Sequence, residues 1–164
     1  MAEGDDSRIA FQGQDPTFRL DGRTALVTGS TAGLGLAMAR GLARAGASVA
    51  LNYANNDARA EAAFEDFKAE GLRGGLFKAS VIDQAEIERL VAEVEASLGP
   101  IDILVVNATP DQPHMSIEEY DWDFHQSMLD FFIRSPFLLA RAVLPGMKAR
   151  RRGRIINIGS EVFA

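Results

Sequence analysis

Thr28-Gly29-Ser30-Thr31-Ala32-Gly33-Leu34-Gly35 follows a short apolar run, Ala25-Leu26-Val27, and opens a segment with helical periodicity. A strand, a glycine turn and a helix start in that order make a phosphate cradle. The first N–H groups of a helix have no intrahelical partner, and the helix dipole adds to their pull on an anion. Gly29 lets the chain turn where a side chain would clash. Gly33 lets the backbone approach a ligand, and Gly35 lets the helix pack closely on the sheet. The pattern is T-G-x-x-x-G-x-G, not the G-x-G-x-x-G of the common dinucleotide fingerprint. A ligand-free strand–helix junction can use the same turn, so the surrounding chain decides between the two readings.

Outward from this turn, short apolar runs alternate with helical patterns. Strands are expected at Thr24–Thr28, Ser48–Asn52, Gly75–Ala79, Ile101–Val106 and Arg154–Ile158, with helical segments over 33–45, 57–70, 84–98 and 116–150. Asp57 reads as the cap of the second helix and Gly71 as its end. Asp83 reads as the cap of the third, with Glu86 completing a capping box and Gly99-Pro100 stopping the helix. Ile87, Leu90, Val91, Val94 and Leu98 form an apolar stripe that faces a sheet. Ser116 reads as the cap of the last helical stretch, with Glu118 and Glu119 in its first turn. Pro136 is expected to kink that stretch, and Pro145-Gly146 to break or bend it again. This alternation implies β-α-β units with right-handed crossovers: a doubly wound α/β fold whose parallel sheet has about five strands in the order 3-2-1-4-5. Residues 1–21 read as a mobile lead-in ending at Asp21-Gly22, and residues 22–164 as one dinucleotide-binding domain.

The 164 residues are 47% hydrophobic, enough to build the core of a single domain. The net charge of −6 argues against nucleic acid as a partner. Arg150-Arg151-Arg152 reads accordingly as cations at a helix C-terminus, where the dipole favours them. The absence of cysteine excludes disulfides, thiolate catalysis and cysteine metal sites. The start, Met1 to Arg8, lacks the apolar core of a secretory signal, and no apolar run reaches the ~18 residues of a spanning helix. No membrane partner is therefore expected, and the cytoplasm is the expected compartment. His114 and His125, with Asp111, Asp121 and Asp123 nearby, fit no established ligand spacing, so no metal site is expected. Trp122, Phe124, Phe131, Phe132 and Phe137 read as core packing or a subunit contact.

Three further segments carry a family likeness. Leu98-Gly99-Pro100-Ile101-Asp102-Ile103-Leu104-Val105 leads into the fourth strand, Val106-Asn107-Ala108-Thr109 follows it, and Gly153-Arg154-Ile155-Ile156-Asn157-Ile158-Gly159-Ser160 is a strand that ends in serine. With the glycine turn, these resemble the short-chain dehydrogenase/reductase family in order and spacing, over roughly residues 20 to 164. The resemblance implies a Rossmann-like fold and hydride transfer between a nicotinamide cofactor and a small alcohol or carbonyl substrate. It implies cofactor contacts from Gly29, Ser30, Thr31, Gly33, Leu34, Gly35, Asn52, Tyr53, Ser80, Val81, Asn107, Ala108, Thr109 and Ile158. It also implies a catalytic role for Ser160, whose hydroxyl would position the substrate oxygen. The alternative for Ser160 is a strand-end serine bonded to local backbone. Together the segments disfavour other Rossmann-like folds such as methyltransferases.

Departures from the family pattern shape the functional expectation. The family's proton donor and its partner, Tyr-x-x-x-Lys, do not occur, since neither Tyr53 nor Tyr120 has a lysine four residues on. Phe132 aligns with the family's catalytic asparagine. Val106 and Thr109 replace the first asparagine and the glycine of N-N-A-G, and Ser80 stands where an aspartate usually lies near the adenine. At the end of the second strand, Asn52 and Tyr53 offer no carboxylate to repel the extra phosphate of NADP, and Asn55 and Asn56 could bond to it. Asn52 also reads simply as a turn residue. Neither Ala32 nor Tyr53 is the arginine that NADP-preferring relatives often carry. NADP is the favoured cofactor, with NAD the alternative. The chain is expected to be a truncated short-chain oxidoreductase acting on a small-molecule substrate and inactive alone. The alternative is a non-enzymatic nucleotide-binding or interaction subunit of the same fold. An open edge on the fifth strand and an unpaired apolar face on the last helix are expected to favour homo-oligomers or aggregation.

Overall fold

Alternation along the strands sorts their side chains between two cores. In β1 (Thr24–Val27), Ala25 and Val27 face one way and Leu26 the other. β2 (Ser48–Tyr53) splits Val49 and Leu51 from Ala50, and β4 (Ile101–Val106) splits Ile103 and Val105 from Leu104 and Val106. Strands buried on both faces belong to a parallel sheet whose crossovers are helices. The computed structural model, which describes residues 18–110, 112–113 and 116–159, has this architecture. With β3 (Gly74–Lys78) and β5 (Arg154–Asn157), the strands pair in parallel in the order β3-β2-β1-β4-β5, as expected.

Helices α1 (Gly33–Arg44) and α2 (Asp57–Ala69) cover one face with Ala39, Ala43 and the fully buried Phe67. Helix α3 (Gln84–Leu98) covers the other with Ile87, Leu90 and Val94, and Val91 and Leu98 pack against the same core, so the expected stripe is met. Beside it lies α5 (Ser135–Ala149), through Leu138, Leu139, Val143 and Met147. The strand order reverses between β1 and β4. A crevice opens there at the C-terminal ends of the strands, the position where doubly wound sheets take ligands.

Several local expectations need correction. Asn56, not Asp57, caps α2: it adopts φ +63°, a left-handed conformation asparagine tolerates, and its Oδ1 accepts the Arg59 N–H at 3.1 Å. Asp83 does cap α3, accepting the Glu86 N–H at 2.9 Å. The Glu86 carboxylate does not close a capping box, because it accepts the Ser80 N–H at 2.7 Å. Ser116 and Glu119 form a separate turn, and the helix begins only at α4 (Trp122–Leu129), capped by Asp121. A π-helical turn, Asp130–Arg134, joins α4 to α5. Pro136 explains it: without an N–H, Pro136 cannot continue the ladder, and the Ser135 N–H bonds to Asp130 O, five residues back. Pro145 neither breaks nor ends α5, because Val143 and Met147 on either side of it are buried against the sheet.

The arginine run also departs from a purely helix-terminal role. Arg152 makes a two-pronged pair with Asp102, at 2.9 and 3.3 Å, and Arg150 donates to Ile101 O at 2.9 Å. These three bonds fasten the α5–β5 connection to the start of β4. Leu20, just before the expected domain start, already donates its N–H to Ala45 O at 2.7 Å and packs its side chain on the α1–α2 core. No helix among the described residues is long and apolar enough to cross a membrane.

Candidate functional site

The crevice is built by bonds between distant strand ends. Thr28, fully buried, accepts the N–H groups of Asn107 and Ala108 on its Oγ1 at 2.9 and 3.1 Å. Asn107 returns two bonds, its Nδ2 donating to Thr28 O at 3.0 Å and Gly29 O at 3.2 Å. The end of β4 is thus stapled to the glycine turn. From the other side, Ser30 donates to Val27 O at 2.7 Å and accepts the Asn52 N–H at 3.0 Å. The Asn52 carboxamide is buried, donating to Ala79 O at 3.0 Å and accepting the Gly29 N–H at 3.4 Å. Asn52 is therefore more than a plain turn residue, because its side chain ties β2 to the glycine turn and to the end of β3.

The turn so held is too tight for side chains at two positions. A Cβ on Gly29 would lie 2.9 Å from Ala108 Cα, and one on Gly35 would lie 2.6 Å from Asn107 Nδ2 and meet Gly29 O. Gly29 and Gly33 take positive φ. The α1 N-terminus that follows carries no side-chain cap and no acidic residue in its first turn. Side-chain oxygens cap α2, α3 and α4.

The space in front of this turn is a cleft of about 590 Å³. Gly29, Thr31, Leu34, Gly35, Asn52, Tyr53, Ser80, Val81, Asn107, Ala108, Thr109 and Ile158 all line it. Ser30 and Gly33 do not: Ser30 is buried behind the turn, and Gly33 lies beside it. Ser160, Asp111 and His114 lie outside the described residues. Among the described residues, no group of three or more potential ligands is placed to hold a metal ion.

Arg59, Gln112 and Phe131 line the cleft and were not read from the sequence as site residues; Phe132, aligned with the family's catalytic asparagine, lines it too. Arg59 brings a guanidinium to the cleft from a position other than Ala32 or Tyr53. It stands in the first turn of α2, where a cation opposes the helix dipole, and that mismatch is the signal in the sequence that could have found it. Tyr53 and Arg59 are the ionisable side chains among the cleft's described lining residues, and no carboxylate is among them. For a chain with 23 Asp and Glu, this is a local reversal of charge.

The nearest carboxylate on α2 is already engaged. Asp57 pairs with Lys78 Nζ at 2.8 Å, and that ammonium holds the carboxyl below its ordinary range. Partial burial, and then the Asp57 carboxylate, push the Tyr53 phenol up. At the opposite end, beyond Ala108, the wall is Phe131, Phe132 and Ile158, none of which can hold or move a proton. The arrangement can bind and orient an elongated anion with a flat apolar end.

Comparison with known proteins agrees with this geometry. The family model described as short chain dehydrogenase matches residues 23–163. A 2-dehydro-3-deoxy-D-gluconate 5-dehydrogenase of Formosa agariphila is 37% identical over 145 residues, covering 87% of this chain and 54% of that protein. A 3-oxoacyl-[acyl-carrier-protein] reductase of Staphylococcus aureus is 37% identical over 144 residues, covering 87% of this chain and 57% of that protein. A crystal structure of a gluconate 5-dehydrogenase from Burkholderia cenocepacia in complex with NADP and tartrate superimposes with a TM-score of 0.78 at 40% identity, covering 87% of this chain and 55% of that one. The chain thus spans little more than half the length of the relatives it matches.

Proposed function

The chain belongs to the short-chain dehydrogenase/reductase family, and on that premise we propose that it is the nucleotide-binding part of an oxidoreductase that moves a hydride between NADP and a small alcohol or carbonyl substrate. NADP, when bound, supplies or accepts the hydride, and the protein's task is to bind and orient it. The single observation that carries this reading is the cleft at the uncapped start of α1, between two glycines that leave no room for a side chain and with no carboxylate among its described lining residues. The first amides of α1 would hold the pyrophosphate. Asn55 and Arg59 would hold the 2′-phosphate that distinguishes NADP, and Asp57, already engaged by Lys78, would oppose it little. The NADP bound in the Burkholderia relative supports this choice, with NAD the weaker candidate.

Within these 164 residues no Tyr-x-x-x-Lys occurs. We read the chain as given as binding NADP without turning substrate over by itself. A second reading, a non-enzymatic nucleotide-binding subunit, is favoured by Phe132 in the cleft wall, where a proton relay would need a polar group. The same proposal places the protein in the cytoplasm and pairs it with a second copy of itself.

Fluorescence titration tests the binding claim. NADPH is expected to bind about tenfold more tightly than NADH, and Arg59→Glu to erase that margin. No binding of either nucleotide at millimolar concentration would rule the proposal out.

A further inference from the structure

Lys78 ends β3 and is the register partner of Tyr53, which ends β2. Register partners leave a sheet on the same face, and here that face meets the start of α2. The Lys78 ammonium contacts both Asp57 oxygens, at 2.8 and 3.0 Å, and more than half of its side chain is exposed. A hollow of about 730 Å³, open to solvent, lies in front of it. This hollow and the cleft share Asn55, with Lys78 lining the hollow and Arg59 the cleft. Asp57 is not among the described lining residues of either, so the pair turns its ammonium, not its carboxylate, toward this space.

A phosphate monoester carries a charge of about −1.5 to −2 at neutral pH and three acceptor oxygens. Beside Asn55, Arg59 offsets one charge and the Asn55 carboxamide none. A lysine ammonium has three donors on a flexible four-carbon stem. Its two contacts to Asp57 leave a donor for a further acceptor. The Asp57 carboxylate bonded to it also raises the ammonium above its ordinary range, so it stays charged.

We propose that Lys78 is a specificity residue for NADP: besides neutralising Asp57, its ammonium bridges to the 2′-phosphate held at Asn55 and Arg59. The proposal rests on reading the cleft as the NADP site.

Lys78→Met alone would also free the Asp57 carboxylate to repel the phosphate, so the test removes that carboxylate first. Asp57→Asn is compared with the double substitution Asp57→Asn and Lys78→Met, by fluorescence titration with NADPH and with NADH, and circular dichroism confirms that both variants fold. With no carboxylate left to neutralise, adding Lys78→Met is expected to weaken NADPH about fivefold and to leave NADH unchanged. An NADPH-to-NADH affinity ratio that is the same in the two variants would overturn the proposal and make Lys78 only the counter-ion of Asp57. Equal weakening of NADPH and NADH would overturn it too, because a structural role moves both alike. If the unsubstituted chain binds NADH as tightly as NADPH, the proposal fails while the cleft remains a dinucleotide site. Failure of both nucleotides to bind would mark the cleft reading itself as wrong, and this proposal would fall with it.

Discussion

Replacing Asn107 by alanine removes two donors from the carbonyls of Thr28 and Gly29. Because Asn107 is only partly buried, the expected loss is about 1–2 kcal/mol of stability in urea unfolding. NADPH affinity should fall as well, since the glycine turn loses its staple; unchanged affinity would mean that Asn107 only packs. Gly35→Ala forces a Cβ against Gly29 O and Asn107. It is expected to cost about 1–3 kcal/mol and to abolish NADPH binding, with a thermal melt and a titration as the two readouts. The glycines were legible because their constraint is local: a turn and a helix start need backbone freedom whatever lies elsewhere. The duties of Asn52 and Asn107 were not, because each is defined by partners on other strands that a linear reading does not bring together. Arg59 was hidden for the same reason, since it reaches the cleft only once α2 packs on β3.

Two elements carry the larger departures. The long helical stretch was legible as helical, and Pro136 as its point of irregularity, but the form of that irregularity, a π turn, depends on packing around it. Pro145 read as a breaker on local grounds, whereas burial of Val143 and Met147 offsets the loss of one bond in the ladder. The link from α5 to β5 leans on Asp102, which is 4% exposed and held by Arg152. Arg152→Ala is expected to destabilise the chain by roughly 3 kcal/mol in denaturant unfolding, because it leaves a buried carboxylate unpaired. Arg152→Lys should recover only part of that, lacking the two-pronged fork. On α4, the π turn and α5, Trp122, Ile133 and Phe137 are each more than 60% exposed, and Ile156 stands out on the edge strand β5. Sedimentation at micromolar concentration is expected to show self-association that Trp122→Gln with Phe137→Gln reduces. A monomer that the double substitution leaves unaltered would contradict the proposed pairing.

The topology of the whole molecule followed from the sequence because strands and helices alternate and the sheet is buried on both faces, which leaves few ways to connect them. The charge of the site did not follow. A chain of net charge −6 turns toward its crevice a guanidinium and, among the described lining residues, no carboxylate, and only the folded arrangement makes that visible. The account stands on a diphosphate held by the first amides of α1. Amide chemical-shift mapping of the ¹⁵N-labelled chain during NADPH titration tests this most directly. The largest shifts are expected at Gly33, Leu34 and Gly35, with a second group at Asn55 and Arg59. Saturable binding that leaves the Gly33–Gly35 amides unmoved would contradict it.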